Sequence, residues 1–206
     1  MKLALALTGA VVALGLPALS SADTVNWNFL NDVGASSGVS VNSPHTFADT
    51  SSMGVGVTAS VLGNSGDHLY EKNQGDHETG LGVTELDDHE IDKTVDVRLN
   101  LSDVINKLHP SQISILFGSV QSGESAEVIY GNGTTSVFSD ESLHKLNLST
   151  IEANGDYVDI TAPHGDILVS DLSVTPAPEP AETALVGGGL LGLALVGRRK
   201  FAANKA

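Results

Sequence analysis

Val95-Asp96-Val97-Arg98-Leu99-Asn100-Leu101 decides the fold class: apolar residues hold every second position and polar ones fill the gaps. Successive side chains point to opposite faces of an extended chain, so a period of 2 makes a strand with one buried and one wet face; a helix needs a period of 3.6. The alternation recurs on both sides. Val25, Trp27 and Phe29 alternate with Asn26 and Asn28, and Val55, Val57, Ala59 and Val61 with Gly56, Thr58 and Ser60. Ile113 to Val120 carries apolar residues on both faces and predicts a central strand. Glu127 to Tyr130, Tyr157 to Ile160 and Ile167 to Val174 predict further strands.

Turn-forming clusters separate these runs, among them Asn64 to Asp67, Gly131 to Gly133 and Asn154 to Asp156. Only Ser102 to Leu108 predicts a helical turn, with Ser102 or Asp103 as its cap and Pro110 beyond its end. Many short strands with tight turns predict an all-β domain, an antiparallel β-sandwich with a jelly roll as one form of it. Trp27, placed in an alternating strand, is expected in the core. The chain has 206 residues and no Cys, so its fold cannot rest on disulfides, and it has no thiolate for metal binding or catalysis.

The two ends read as addresses. Lys2, the apolar run Leu3 to Leu16, and the small residues Ser20 and Ala22 make a secretory signal peptide over 1–22, with cleavage by signal peptidase expected after Ala22. At the other end, Thr175 to Pro180 holds three prolines and predicts an extended spacer. An uncharged stretch from Ala184 to Val196 follows, and then Arg198, Arg199 and Lys200, which the positive-inside rule leaves in the cytoplasm. Thirteen apolar residues make only about 20 Å of helix, enough for a transient hold in a membrane and short for a permanent span. The expected organisation is therefore 1–22 signal peptide, 23–174 ectodomain and 175–206 sorting segment.

Pro178, Glu179 and Pro180, followed by that hydrophobic stretch and the basic trio Arg198, Arg199 and Lys200, resemble the PEP-CTERM sorting signal of exported bacterial proteins. The resemblance implies processing by an exosortase, a membrane transpeptidase-like enzyme, and association with exopolysaccharide, biofilm or floc material. It also implies a location in the cell envelope or extracellular matrix, reached through a transient inner-membrane intermediate.

Setting aside Lys2 and the tail charges Glu182, Arg198, Arg199, Lys200 and Lys205 leaves 5 basic and 24 acidic residues in 23–180, a net charge of −19. Such a body repels a phosphate backbone, which excludes nucleic acid as a partner, while divalent cations and uncharged or cation-bridged sugars remain compatible. The acidic groups are densest between Gly66 and Asp92. Asp76, Glu78, Asp87, Asp88, Glu90 and Asp92 are carboxylates at loop positions able to converge on a hard cation, and Ca²⁺ is the candidate because it takes six to eight oxygens. The alternative is a set of solvated loops. The seven His are scattered with no HExxH or comparable pair, so they define no transition-metal site.

Leu69-Tyr70-Glu71-Lys72, Glu78-Thr79-Gly80-Leu81-Gly82-Val83, Glu90-Ile91-Asp92 and Ser119-Val120-Gln121-Ser122-Gly123-Glu124 together look like a recurring ectodomain type among PEP-CTERM proteins, a resemblance that implies no activity. Gly80 and Gly82 are expected where a turn or a bulge needs a positive φ, or where backbone approaches closely; the alternative is a floor on which a sugar ring could lie. Tyr70 and Tyr130 are the candidates for a ligand face. There is no Gly-x-Ser-x-Gly elbow, phosphate loop or dinucleotide fingerprint. A non-enzymatic surface or matrix protein is therefore expected, with a Ca²⁺-dependent carbohydrate-binding module as the alternative. A glycan-cleaving enzyme built on a carboxylate pair such as Glu124 and Glu127 comes third.

Overall fold

The computed structural model describes residues 23–30, 38–63, 66–74, 78–84, 86 and 88–178. The expected signal peptide 1–22, the Ala184–Val196 stretch, Glu179, Pro180 and the basic trio lie outside them. Among the described residues no helix is long and apolar enough to cross a membrane.

Among the described residues of the unit Ala22–Ala177, thirteen strands and two short helices follow one another: β1 (Val25–Asn28), β2 (Gly38–Val41), β3 (His45–Ala48), β4 (Gly56–Leu62), β5 (Leu69–Asn73), β6 (Thr79–Val83), β7 (Asp96–Asn100), α1 (Ser102–Leu108), β8 (Pro110–Gly118), β9 (Ser125–Tyr130), β10 (Thr135–Phe138), β11 (Leu143–Lys145), α2 (Leu148–Ala153), β12 (Tyr157–His164) and β13 (Leu168–Pro176). Two antiparallel sheets result. The first runs β11-β8-β13-β6-β5-β2, with β1 also paired to β13, and the second runs β10-β9-β12-β7-β4-β3.

The expected sandwich is thus present, and the alternating strands lay their apolar faces against each other. Val97 and Leu99 on β7, Val57 and Ala59 on β4, and Val158 and Ile160 on β12 are buried from the second sheet; Trp27, Leu81, Ile113, Ile115, Leu172 and Val174 are buried from the first. Phe29, just past β1, meets Phe47 of β3 edge to face at 5.0 Å, joining the two sheets. Trp27 is fully buried as expected, and its indole N–H donates to the Val55 carbonyl at 3.1 Å, which satisfies its one polar atom. On the outer face of β7 the wet positions pair as well: Arg98 grips Asp159 of β12 with two hydrogen bonds of 2.7 and 2.8 Å and lies 3.8 Å over the Tyr157 ring.

Helix α1 begins and ends where the sequence predicts, but its cap differs. Leu101 is the N-cap residue and makes no side-chain cap; instead Asn100 Oδ1 accepts from the Ser102 N–H at 3.0 Å, while Asp103 pairs with Lys107 one turn on. A second helix, α2, replaces what reads as a connection: Asn147 Oδ1 accepts from the Thr150 N–H and starts it, and the turn at Asn154 ends it. The last strand runs two residues past the expected boundary at 174. Pro176 closes it opposite Pro110, a strand end where the missing N–H breaks no ladder.

Candidate functional site

The acidic segment folds into a hairpin and an arch on the first sheet. Strands β5 and β6 pair residue for residue, Leu69 to Val83 and Asn73 to Thr79, so Lys72 stands opposite Gly80 and Tyr70 opposite Gly82. Beyond β6 the chain turns back over the hairpin. The His89 N–H donates to the Leu86 carbonyl, the His89 carbonyl accepts from the Val83 N–H at 3.1 Å, and His89 itself takes a left-handed φ of 60°.

This close return explains the glycines. A Cβ on Gly82 would stand 1.9 Å from the His89 carbonyl oxygen, and one on Gly80, where φ is 148°, would stand 2.7 Å from that of Val169. Both positions answer to close backbone approach, as the sequence leads one to expect; neither is an open floor for a ligand.

Lys72 lies beneath the arch with no side-chain exposure, and its ammonium meets Glu90 at 2.6 Å, Asp88 at 3.1 Å and Glu78 at 3.2 Å. Glu90 is also buried, at 3% exposure, and its Oε1 accepts a second hydrogen bond from the Ser119 hydroxyl at 3.0 Å. Burial by itself would pull the Lys72 pKa down, but hydrogen bonds to Glu90, Asp88 and Glu78 hold it well above the ordinary lysine value. Burial pushes the Glu90 carboxyl up, against the opposing pull of Lys72 and Ser119. The amine is therefore a fixed cation at neutral pH and not a nucleophile.

Three of the expected calcium ligands thus do converge, but on a cation the chain supplies itself. Asp76 and Asp87 lie outside the described residues. Asp92 accepts from the Thr94 N–H and hydroxyl and closes its own turn. Among the described residues no three His, Asp or Glu side chains are set to hold a metal ion. The carboxylates remain in excess: burial pushes the neighbouring Asp166 up, helped by Asp92, Glu124 and Asp88.

The two tyrosines proposed for a ligand face are both engaged. Tyr70 stacks on the His89 ring at 4.1 Å, and its ring fills the space that a side chain at residue 38 would need. Tyr130 is buried at 4% exposure; its hydroxyl accepts from the Asn147 N–H at 3.1 Å and so ties β9 to the start of α2. Its apolar strand position carries it inward, and the hydroxyl needs a partner there. Of the carboxylate pair, Glu124 accepts from the Gln121 N–H at 2.7 Å and closes its own turn, while Glu127 sits on β9 opposite Thr161 and Val137.

Sequence reasoning passed over Lys72 as a cluster-builder. The signal lay in its isolation, one of five basic residues in the body and placed inside its most acidic stretch. A search of protein-family models, of curated proteins and of solved structures finds no match to this chain, so its architecture and its chemistry are read from its own residues.

Proposed function

We propose that the chain is an exported, non-enzymatic protein of the cell envelope or extracellular polymer matrix, delivered by an exosortase-type system and associated there with exopolysaccharide. The observation that carries this reading is the flanking of a strand-rich body by two address segments: the leader 1–22 before it, and the proline spacer, apolar stretch and basic trio after it. The last strand ends at Pro176, two residues before Pro178-Glu179-Pro180, so a cut at or after Pro178 would leave the sandwich whole. A body that holds together through a two-sheet core and a caged lysine, with no disulfide, suits export without dependence on an oxidising folding machinery.

Intact mass of the extracellular protein tests the proposal. The expected species lacks 1–22 and everything beyond the proline spacer in cells with the exosortase, and keeps the C-terminal segment when that enzyme is deleted. Identical mass and location in both strains would remove the sorting reading and leave a tethered acidic sandwich.

A further inference from the structure

On the first sheet, β13 carries an extra residue: its register against β8 steps from Val169 opposite Phe117 to Asp171 opposite Leu116, with Ser170 bulged between them. The bulge is pinned on both sides, since the Ser170 hydroxyl donates to the Thr79 carbonyl of β6 at 2.6 Å and its carbonyl accepts from the Phe29 N–H at 3.3 Å. Bulges re-aim side chains and recur beside binding sites. Here the bulge lies at a cleft of about 160 Å³ lined by Thr79, Leu116, Phe117, Glu141, Ser170 and Asp171.

Asp171 is the unusual member. It is half-buried, no described residue hydrogen-bonds or ion-pairs with its carboxylate, and burial alone pushes its pKa up. Glu78, Asp88 and Glu90 in the arch have the Lys72 ammonium within reach; among the described residues Asp171 has no such partner. A desolvated carboxylate without a donor raises the energy of the free protein, and a ligand bringing a cationic donor would remove that penalty. Glu141 places a second carboxylate on the cleft wall, and it already accepts from the Val120 N–H at 3.3 Å. Ligand pockets for larger molecules run to about 300–1,000 Å³, so a cleft half the lower figure accepts a single small unit such as one sugar ring.

We infer that this cleft binds the protonated amino group of a de-acetylated amino sugar, with the ammonium on Asp171, the ring against Leu116 and its hydroxyls toward Thr79 and Glu141. The inference rests on the matrix location proposed above, and it names the class of polymer unit the protein would hold there. The amine is what favours it: an uncharged sugar could offer Asp171 only a hydroxyl hydrogen bond and leave its charge uncompensated, and an acidic one would be repelled by a body of net charge −19.

The test is calorimetric titration of the full chain with a glucosamine tetrasaccharide, in parallel with its fully N-acetylated counterpart and a lysine tripeptide. About 150 mM salt limits long-range attraction to a Debye length of about 8 Å. Saturable binding of the glucosamine oligomer, none of the acetylated one, and at least tenfold weaker binding in Asp171→Asn would support the site. Glu141→Gln is expected to weaken binding less, and serves as the second variant. Four results would each overturn the inference: no binding; equal binding of the acetylated sugar; equal affinity in Asp171→Asn, which marks a merely diffuse polycation effect; or preference for the lysine peptide, which marks a protein partner. None of them bears on the sorting reading, which the intact mass of the extracellular protein tests separately.

Discussion

Two groups of carboxylates on the same sheet have opposite fates. Under the arch, Glu78, Asp88 and Glu90 enclose an ammonium from β5; beside the β13 bulge, half-buried Asp171 has no partner among the described residues. The first arrangement consumes its charge within the fold and fixes the arch to the hairpin. The second leaves charge facing a cleft. In a body this acidic, the presence of carboxylates therefore says little about where a ligand binds, and the absence of an internal cation beside one of them says more.

The largest expected effect comes from emptying the cage. Lys72→Met should lower stability by about 3–5 kcal/mol, the range for removing one partner of a buried pair, because Glu90 would then be left buried without its counter-charge. Denaturant unfolding at neutral pH measures it; a loss below about 1 kcal/mol would mean that the arch stands without its lysine. Next in size is Gly82→Ala, which drives a methyl group into the His89 carbonyl and should cost about 1–3 kcal/mol through displacement of the arch.

Asp171→Asn is predicted to act in the opposite direction. It should stabilise the protein at pH 7 by no more than about 1 kcal/mol, since a fully buried polar group without a partner costs about 1–3 kcal/mol and Asp171 is only half-buried. The sign follows from its raised pKa. The native state holds this proton more tightly than the unfolded chain, so the wild type loses stability as pH rises through the folded value and recovers it below the ordinary value of 3.8. Wild type and variant should therefore converge in acid; a gap that persists there would remove desolvation as its cause. Glu78→Gln, at the solvent-facing side of the cage, should change stability by less than about 1 kcal/mol. The smallest expected response is to calcium. Millimolar Ca²⁺ should leave the wild-type Tm unchanged, because the converging carboxylates already hold an ammonium, and should raise it in Lys72→Met. A rise in the wild type would mean that the acidic segment takes a second cation.

Much of the core was legible along the chain. Val95 to Leu101, Val25 to Phe29 and Val55 to Val61 are strands with the expected buried faces, because alternation depends only on neighbouring residues. Strands β2, β3, β5, β6, β10 and β11 were not foreseen. They are three to five residues long, too short to show a clear period, and four of them, β2, β3, β10 and β11, are edge strands defined by the neighbour they pair with. Helix α2 left a mark in Asn147, its cap, but six residues offer little more to read. Tyr130 was a candidate for a ligand face, yet its inward position on β9 buries the ring, and the start of α2 provides the partner for its hydroxyl.

By itself the sequence established an all-β body of high negative charge, because charge, composition and period are local properties that survive without a partner strand. Only the tertiary structure decided which carboxylates meet a cation. Lys72 and Glu90 are eighteen residues apart and Glu90 and Ser119 twenty-nine, and their meeting depends on the hairpin register and on a glycine that lets the arch descend. Asp171 is exceptional for the same reason: one bulged residue on β13 sets its place, and nothing in its sequence neighbourhood supplies the donor it lacks.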